Sequence, residues 1–209
     1  MPDEPSALTH LVQLMRVRRD VRHFKETPVD AALIESAVRV AGLAPSVGYS
    51  QPWRWVRVDD ERRRRAVIAS HDLANERARD AVAADRREEY ARLKLSGLRE
   101  APVHLAVFCD AGVATGGGLG RQTMPEALQY SVAMAIYGFW LAARALGLGV
   151  GWVSILDTET VVRTLDVPNG WQFIAYLAVG YPAFESDTPE LVERGWEHAD
   201  THAAQIIAR

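Results

Sequence analysis

The chain has 209 residues, of which 48% are hydrophobic, and this apolar content is enough for one sizeable core. We therefore expect a single domain over residues 1–209. Lys and Arg total 24 against 27 Asp and Glu, and the resulting formal charge of -3 argues against a nucleic-acid partner.

The composition also bears on location. Cys109 is the single cysteine and has no partner for an internal disulfide, and the first ten residues lack both a basic start and an apolar signal core. We expect a cytoplasmic protein. Glu126, Gln129 and Arg144 interrupt the most apolar stretch, residues 126–146, which therefore predicts a buried helix and no membrane partner.

The N-terminal part predicts two helices separated by an arginine-rich segment. The first helix ends near Met15, and residues 16–22 then place four arginines around Asp20. The second helix is predicted to start near Asp30, a typical N-cap, because apolar residues recur at helical spacing until Gly42.

A loop rich in turn-forming residues, 44–52, leads into a predicted strand at 53–58, which has β-branched and aromatic content. Residues 59–99 are dense in charge and alanine, and their sparse apolar positions indicate exposed helices. We expect a segment at about 60–100 to act as a mobile lid.

Three apolar runs have the length and composition of buried strands, at 104–109, 149–156 and 173–179. The long apolar helix lies between the first two. Strands mixed with helices predict an α+β or α/β sandwich, with a mixed central sheet flanked by helices on both faces.

The arginine-rich segment is a candidate phosphate site. Arg18, Arg19 and Arg22 offer several guanidinium groups, each of which can donate two parallel hydrogen bonds to a phosphate. The alternative is a solvated surface charge run. Asp20 favours the first interpretation, because an acid held among cations should stay ionised and could act as a base.

Other motifs carry weaker signals. The glycines at 116–120 lie between a strand and a helix, but their spacing fits neither a dinucleotide fingerprint nor a P-loop, which favours a flexible connection. His198 and His202 lack a third ligand, so we expect no metal site. Ser154, a hydroxyl in an apolar strand, needs a partner if it is buried, and backbone bonding is the plain alternative to a catalytic role.

Taken together, these segments resemble the flavin reductase and nitroreductase superfamily, and within it the 5,6-dimethylbenzimidazole synthase family. The resemblance extends from about Leu14 to Trp196. It is carried by Arg-Arg-Asp-Val-Arg-His-Phe at 18–24, Ala-Pro-Ser-Val-Gly at 44–48, Gln-Pro-Trp at 51–53, the apolar run at 101–108, Gly-Leu-Gly-Arg-Gln-Thr-Met-Pro-Glu at 118–126 and Gly-Val-Gly-Trp-Val-Ser-Ile-Leu at 149–156.

The resemblance implies a nitroreductase-like α-β-α sandwich that forms a homodimer, with FMN bound at the dimer interface. Arg18, Arg19 and Arg22 would hold the flavin phosphate and ribityl chain, and Arg194 would assist them. Pro45 and Ser46 would border the isoalloxazine ring, and Gly151 and Trp152 would pass close to it. The implied FMN-binding set is Arg18, Arg19, Asp20, Val21, Arg22, Pro45, Ser46, Gly151, Trp152, Ser154 and Arg194.

The implied reaction consumes the flavin. Reduced FMN, supplied by a separate flavin reductase, would be fragmented with molecular oxygen to 5,6-dimethylbenzimidazole and erythrose 4-phosphate. Asp20 would remove a proton near the ribityl C1, and Ser154 would position the ring or relay a proton. In ordinary nitroreductases a serine commonly stands at Asp20, and an asparagine that contacts the ring stands at Tyr49. The first departure favours the synthase family.

Two alternatives follow from the same residues. One is a conventional FMN-dependent NAD(P)H nitroreductase or dehalogenase, which would keep its flavin and pass electrons to an external substrate. The other is a flavin-binding storage or sensor protein, which would use the same arginines without turnover.

Overall fold

The computed structural model describes residues 6–200 and 203–209. His202, one of the two histidines considered above as metal ligands, lies outside the described residues. Within the described ranges the chain forms the helices α1 Ala7–Val17, α2 Ala31–Ala41, α3 Glu61–Ala81, α4 Arg87–Ala91, α5 Ala127–Ala145, α6 Thr158–Leu165 and α7 Glu190–Glu193. The strands are β1 Trp53–Arg57, β2 Val103–Asp110, β3 Gly149–Val153 and β4 Trp171–Gly180.

The four strands form one sheet in the order β1-β2-β4-β3, and every neighbouring pair is antiparallel. The α+β sandwich is confirmed, but the sheet is not mixed as predicted. The reason lies in the connection through α5: β2 and β3 run parallel to each other, yet β4 inserts between them and pairs with both. Among the described residues, parallel pairing is confined to the bridge between Asp20 and Val150.

Helices cover both faces of the sheet, and each face has its own apolar core. On one face, Ile34 of α2 and Ile136 and Phe139 of α5 pack on β2 and β4. On the other face, Val67 of α3 and Val161 of α6 do so. This double coverage explains why β2 is buried along its length and appears in the sequence as a continuous apolar run.

Local signals place several helix ends where the sequence predicts them. The Asp30 carboxylate accepts a hydrogen bond from the amide of Ala32 at 2.9 Å, and α2 ends before Gly42. The helix α1 continues to Val17, two residues beyond its predicted end. None of the described helices is long and apolar enough to cross a membrane.

Candidate functional site

The arginine-rich segment lies along the free edge of β3. The amide of Val21 donates to the carbonyl of Val150 at 3.0 Å, and the indole of Trp140 on α5 donates to the carbonyl of Arg19 at 3.1 Å. These bonds fix residues 17–23 between the sheet edge and α5. A cavity of about 50 Å³ opens between this segment, α5, the start of β3 and residues 182–193. Its charged lining includes Arg18, Arg19, Asp20, Arg22, Arg144 and Glu190.

Asp20 is held from two sides. One oxygen of its carboxylate accepts from the amide of Trp152 at 2.9 Å, and the other accepts from Nε of Arg22 at 3.1 Å. The sequence predicts an acid that its cationic neighbours keep ionised. Burial has the opposite effect on the pKa of Asp20 and raises it above its ordinary value, in spite of the lowering by the Trp152 amide and by Arg22. A raised pKa suits a general base that works near neutral pH.

The three arginines differ in how many of their donors are already used. The guanidinium of Arg19 donates to the carbonyls of Arg18, Arg16, Ser186 and Asp187, so it ties the segment to the C-terminal part of the chain. Burial, assisted by the neighbouring Arg18, lowers the pKa of Arg19.

Arg22 is bound to Asp20 and to the carbonyl of Lys94, the latter at 3.2 Å. Arg18 is different, because its guanidinium lies 4.8 Å from the Trp140 ring centroid and its buried Nε has no hydrogen-bond partner among the described residues. Of the three predicted phosphate ligands, Arg18 therefore has the most donor capacity left for an anion.

Gly151 and Trp152 lie beside Asp20, and the glycine is needed here for contact with the chain itself. A Cβ at Gly151 would lie 2.2 Å from the carbonyl oxygen of Val21. The absent side chain therefore admits the arginine-rich segment against β3. The Trp152 ring is half-buried, with its centroid 6.4 Å from that of Trp140.

Ser154 does not lie within the strand as predicted. The strand β3 ends at Val153, where its pairing with β4 stops, and Ser154 is exposed on the loop that follows.

Arg194 lies after α7 with its side chain 55% exposed, and its Nε is 3.8 Å from Glu190. Glu190 in turn lies 3.2 Å from Nε2 of His23 at the cavity wall.

The loop with Pro45 and Ser46 lies near the start of α5, whereas the arginine-rich segment lies near its end. The hydroxyl of Ser46 accepts from the amide of Gln51 at 3.1 Å, and the next amide, Val47, donates to Ser131 of α5 at 3.0 Å. Ser131 and Trp140 are nine residues apart on that helix, which corresponds to roughly 13 Å of helix length. A single chain therefore does not bring the Pro45–Ser46 loop to Asp20.

Two groups have roles in the structure that the sequence did not predict. Arg144 lines the cavity, where it forms an ion pair with Glu185 at 2.8 Å; its only signal was a charge in the last turn of an apolar helix. The Gly116–Gly120 loop packs against the Ser46 loop, since a Cβ on Gly116 would lie 2.6 Å from the carbonyl of Gly48. Tyr49 beside it has a φ of 54°, a backbone conformation unusual for a bulky residue.

Residues 15–181 match the nitroreductase family. The chain belongs to this family. Within it, the chain is 53% identical over 199 residues to 5,6-dimethylbenzimidazole synthase of Rhodospirillum rubrum, a match that covers 95% of this chain and 94% of the relative. It is 48% identical over 187 residues to the protein of the same name from Rhodobacter capsulatus, with 90% of each chain covered.

A solved structure with the same fold is that of oxidized iodotyrosine deiodinase bound to FMN and 3-iodo-L-tyrosine. The TM-score is 0.74 at 24% identity, and the match covers 95% of this chain and 97% of that chain. At this level of identity the likeness confirms the nitroreductase-like fold.

Proposed function

We propose that this chain is a 5,6-dimethylbenzimidazole synthase, which fragments reduced FMN with molecular oxygen to 5,6-dimethylbenzimidazole and erythrose 4-phosphate. The observation that carries the proposal is the placement of Asp20: a half-buried carboxylate between Arg22 and the Trp152 amide, in the same cavity as Arg18, whose buried Nε has no hydrogen-bond partner among the described residues. The identity of 45–53% with relatives of that name supports it.

The residues of the cavity fit FMN. A buried guanidinium nitrogen without a partner is costly, and the Nε of Arg18 is such a group. A phosphate would satisfy it with a charge-assisted hydrogen bond. Arg144 lies on the same cavity wall and adds positive charge, whereas Arg19 acts mainly by holding residues 186 and 187 in place.

Each of the remaining groups has a defined task in this proposal. Bound flavin supplies the redox chemistry with oxygen. Asp20, held by Arg22 and Trp152, takes the proton near the ribityl C1, for which its raised pKa is suited. Ser154, exposed at the end of β3, positions the ring or relays a proton. Arg194, whose Nε lies 3.8 Å from Glu190 of the cavity wall, assists with the phosphate.

We further propose that the site is completed by a second copy of the chain. Pro45 and Ser46 lie beside a different part of α5 than Asp20 does, so they would reach the ring from the partner of a homodimer. The helix α1 has no buried residue, and it exposes an apolar side-chain row that needs cover: Leu8, Leu11, Val12 and Met15.

The mobile lid corresponds to residues 82–100, the part of segment 60–100 that follows α3. The helix α3 itself buries Val67 in the core, whereas among residues 82–100 only Tyr90, Gly97 and Leu98 are buried. The carbonyl of Lys94 accepts from Arg22, and Gly97 packs on Phe24. A closed cover would exclude water from the reacting flavin. Reduced FMN would come from a separate flavin reductase, which fits a cytoplasmic location.

The test is a mass balance on flavin. The protein is mixed with a tenfold excess of reduced FMN in air, and the products are identified by liquid chromatography and mass spectrometry. The proposal predicts 5,6-dimethylbenzimidazole and erythrose 4-phosphate in equal amounts, with a matching loss of FMN. Complete recovery of oxidised FMN after many turnovers would overturn it.

The second candidate function is a conventional FMN-dependent nitroreductase or dehalogenase. The likeness in fold to iodotyrosine deiodinase favours it. This function predicts that FMN is conserved while NAD(P)H and an added nitroaromatic or iodotyrosine are consumed. The same mass balance, repeated with those compounds, separates the two functions.

A further inference from the structure

The helix α3 buries a short face that is mostly polar. Its buried residues are Val67, Ser70 and His71, which lie at i, i+3 and i+4 and therefore on one side of the helix. Ser70 and His71 are each only 6% exposed. Buried polar side chains are stable when they are hydrogen-bonded, so the partners of these two residues indicate what this face is for.

Both side chains bond to the loop that follows β3. The Nδ1 atom of His71 lies 2.9 Å from the carbonyl oxygen of Ile155, and because a carbonyl only accepts, Nδ1 carries the hydrogen. The hydroxyl of Ser70 accepts from the amide of Asp157 at 3.1 Å. Two consecutive residues of one helix thus hold two backbone groups of the same loop.

This loop has few other constraints. The pairing of β3 with β4 ends at Val153, so residues 154–157 receive no support from the sheet. Within the loop, the amide of Leu156 donates to the carbonyl of Ser154 at 3.0 Å, and Asp157 caps α6 by accepting from Thr160 at 2.7 Å. The bonds from α3 therefore link a rigid helix to the segment that carries Ser154.

We propose that His71 is a positioning residue, assisted by Ser70, which fixes the backbone of residues 154–157 and thereby the hydroxyl of Ser154. This inference rests on the proposed function, in which Ser154 lies at the flavin ring. His71 does not touch the reacting atoms; it acts by holding Ile155, the neighbour of Ser154. A displacement of about 1 Å at a reacting group can lower a rate by roughly a hundredfold.

The first test needs no catalysis. Amide hydrogen exchange of residues 154–160 is measured by mass spectrometry in the wild type, His71→Leu and His71→Asn. Leucine removes the donor at similar size, whereas the asparagine amide places an N–H close to the position of Nδ1. We expect exchange about tenfold faster in His71→Leu and wild-type protection in His71→Asn, because the first variant frees the loop locally. Unchanged protection in His71→Leu would contradict the inference.

The second test is a double-mutant cycle with Ser154→Ala. His71→Leu should lower the yield of 5,6-dimethylbenzimidazole at least about tenfold while the Kd for FMN changes less than about threefold. In the Ser154→Ala background the same change should have no further effect, because its target is gone. Equal losses in both backgrounds would show a general structural role and overturn the proposal.

Two controls keep the outcomes separate. If His71→Leu does not fold, Ser70→Ala, which removes only the acceptor for the Asp157 amide, gives the same comparison in milder form. If the wild type makes no 5,6-dimethylbenzimidazole, the proposed function fails, and the exchange measurement still decides whether His71 fixes the loop.

Discussion

Adjacent arginines have different tasks in this site, although both line the same cavity. Arg18 lies over the Trp140 ring and its Nε has no partner among the described residues, while Arg19 bonds to four carbonyls. The first arrangement leaves a cation for a ligand, and the second uses a cation to join two parts of the chain.

We predict that Arg18→Ala weakens FMN binding about tenfold or more, the effect expected for loss of one charge-assisted hydrogen bond. Arg65→Ala, which removes an exposed arginine of α3 paired with Glu61, is the matched control and should leave the Kd unchanged. Fluorescence titration of FMN measures both. Equal Kd values for Arg18→Ala and the wild type would show that Arg18 does not bind the phosphate.

His104 makes a buried contribution to stability that depends on pH. Its Nε2 donates to the carbonyl of Leu98 at 2.9 Å, and its Nδ1 lies 3.0 Å from the hydroxyl of Tyr176, which therefore donates. Burial, with the nearby Arg64, lowers the pKa of His104 to about 4. The folded state thus favours the neutral ring.

Because the folded pKa lies below the unfolded value of 6.5, this contribution is intact above pH 6.5 and is lost as the pH falls to 4. We predict a decrease of about 3 kcal/mol in the free energy of unfolding between these two pH values from this group. Urea unfolding measures it. His104→Gln keeps a neutral donor for Leu98 and should lack this part of the decrease; an identical pH dependence in the variant would refute the assignment.

At the scale of elements, the Gly116–Gly120 loop and the Ser46 loop form a pair. Gly116 has a φ of 86° and lies against Gly48, and Gly117 has a φ of 56° with open space where a Cβ would be. Both positions therefore disfavour a side chain for backbone reasons, but only Gly116 also presses on the neighbouring loop.

This difference gives a matched pair of variants. Gly116→Ala and Gly117→Ala both place an L-residue at positive φ, which costs about 1–2 kcal/mol. Gly116→Ala should cost a further 1–3 kcal/mol, roughly, because it forces the two loops apart, and it should also weaken FMN binding. Chemical denaturation and FMN titration check this. Equal effects of the two substitutions would mean that the contact with Gly48 has no role.

Capping residues and apolar runs predicted those helices and strands whose ends are set by nearby residues. Asp30 and Gly42 mark α2, and the continuous apolar runs mark β2 and β4. The end of β3 was not predictable, because it depends on where the pairing with β4 stops, and β4 lies well beyond β3 in sequence. The same reason explains why the pKa direction of Asp20 was missed: neighbouring charges are visible in the sequence, but desolvation by the folded chain is not.

At the scale of the whole molecule, one chain provides only part of the predicted flavin site. The arginine-rich segment, Asp20 and β3 lie together, whereas Pro45 and Ser46 lie elsewhere along α5. The sequence resemblance named all of these residues, but it could not show that one chain keeps them apart. In the proposed dimer, the unburied α1 would be the surface that meets the second chain.

We predict that the protein is a dimer with twice the chain mass of 23.1 kDa, measured by light scattering. Leu11→Asp, on the apolar side of α1, should shift it towards the monomer and weaken FMN binding at least about tenfold, because the site loses the partner's residues. Leu73→Asp changes a similarly exposed leucine on α3 and should alter neither the oligomeric state nor FMN binding. A monomeric wild type that binds FMN normally would refute the shared site.

The central claim is that Asp20 acts as a base on bound reduced FMN. The most direct measurement is a single turnover with oxygen, in which the wild type and Asp20→Asn are compared for FMN affinity and for the yield of 5,6-dimethylbenzimidazole. Asparagine keeps an acceptor for the Trp152 amide but cannot take the proton, so the account predicts a Kd within about threefold of wild type and a yield at least roughly a hundredfold lower. An undiminished yield from Asp20→Asn would contradict it.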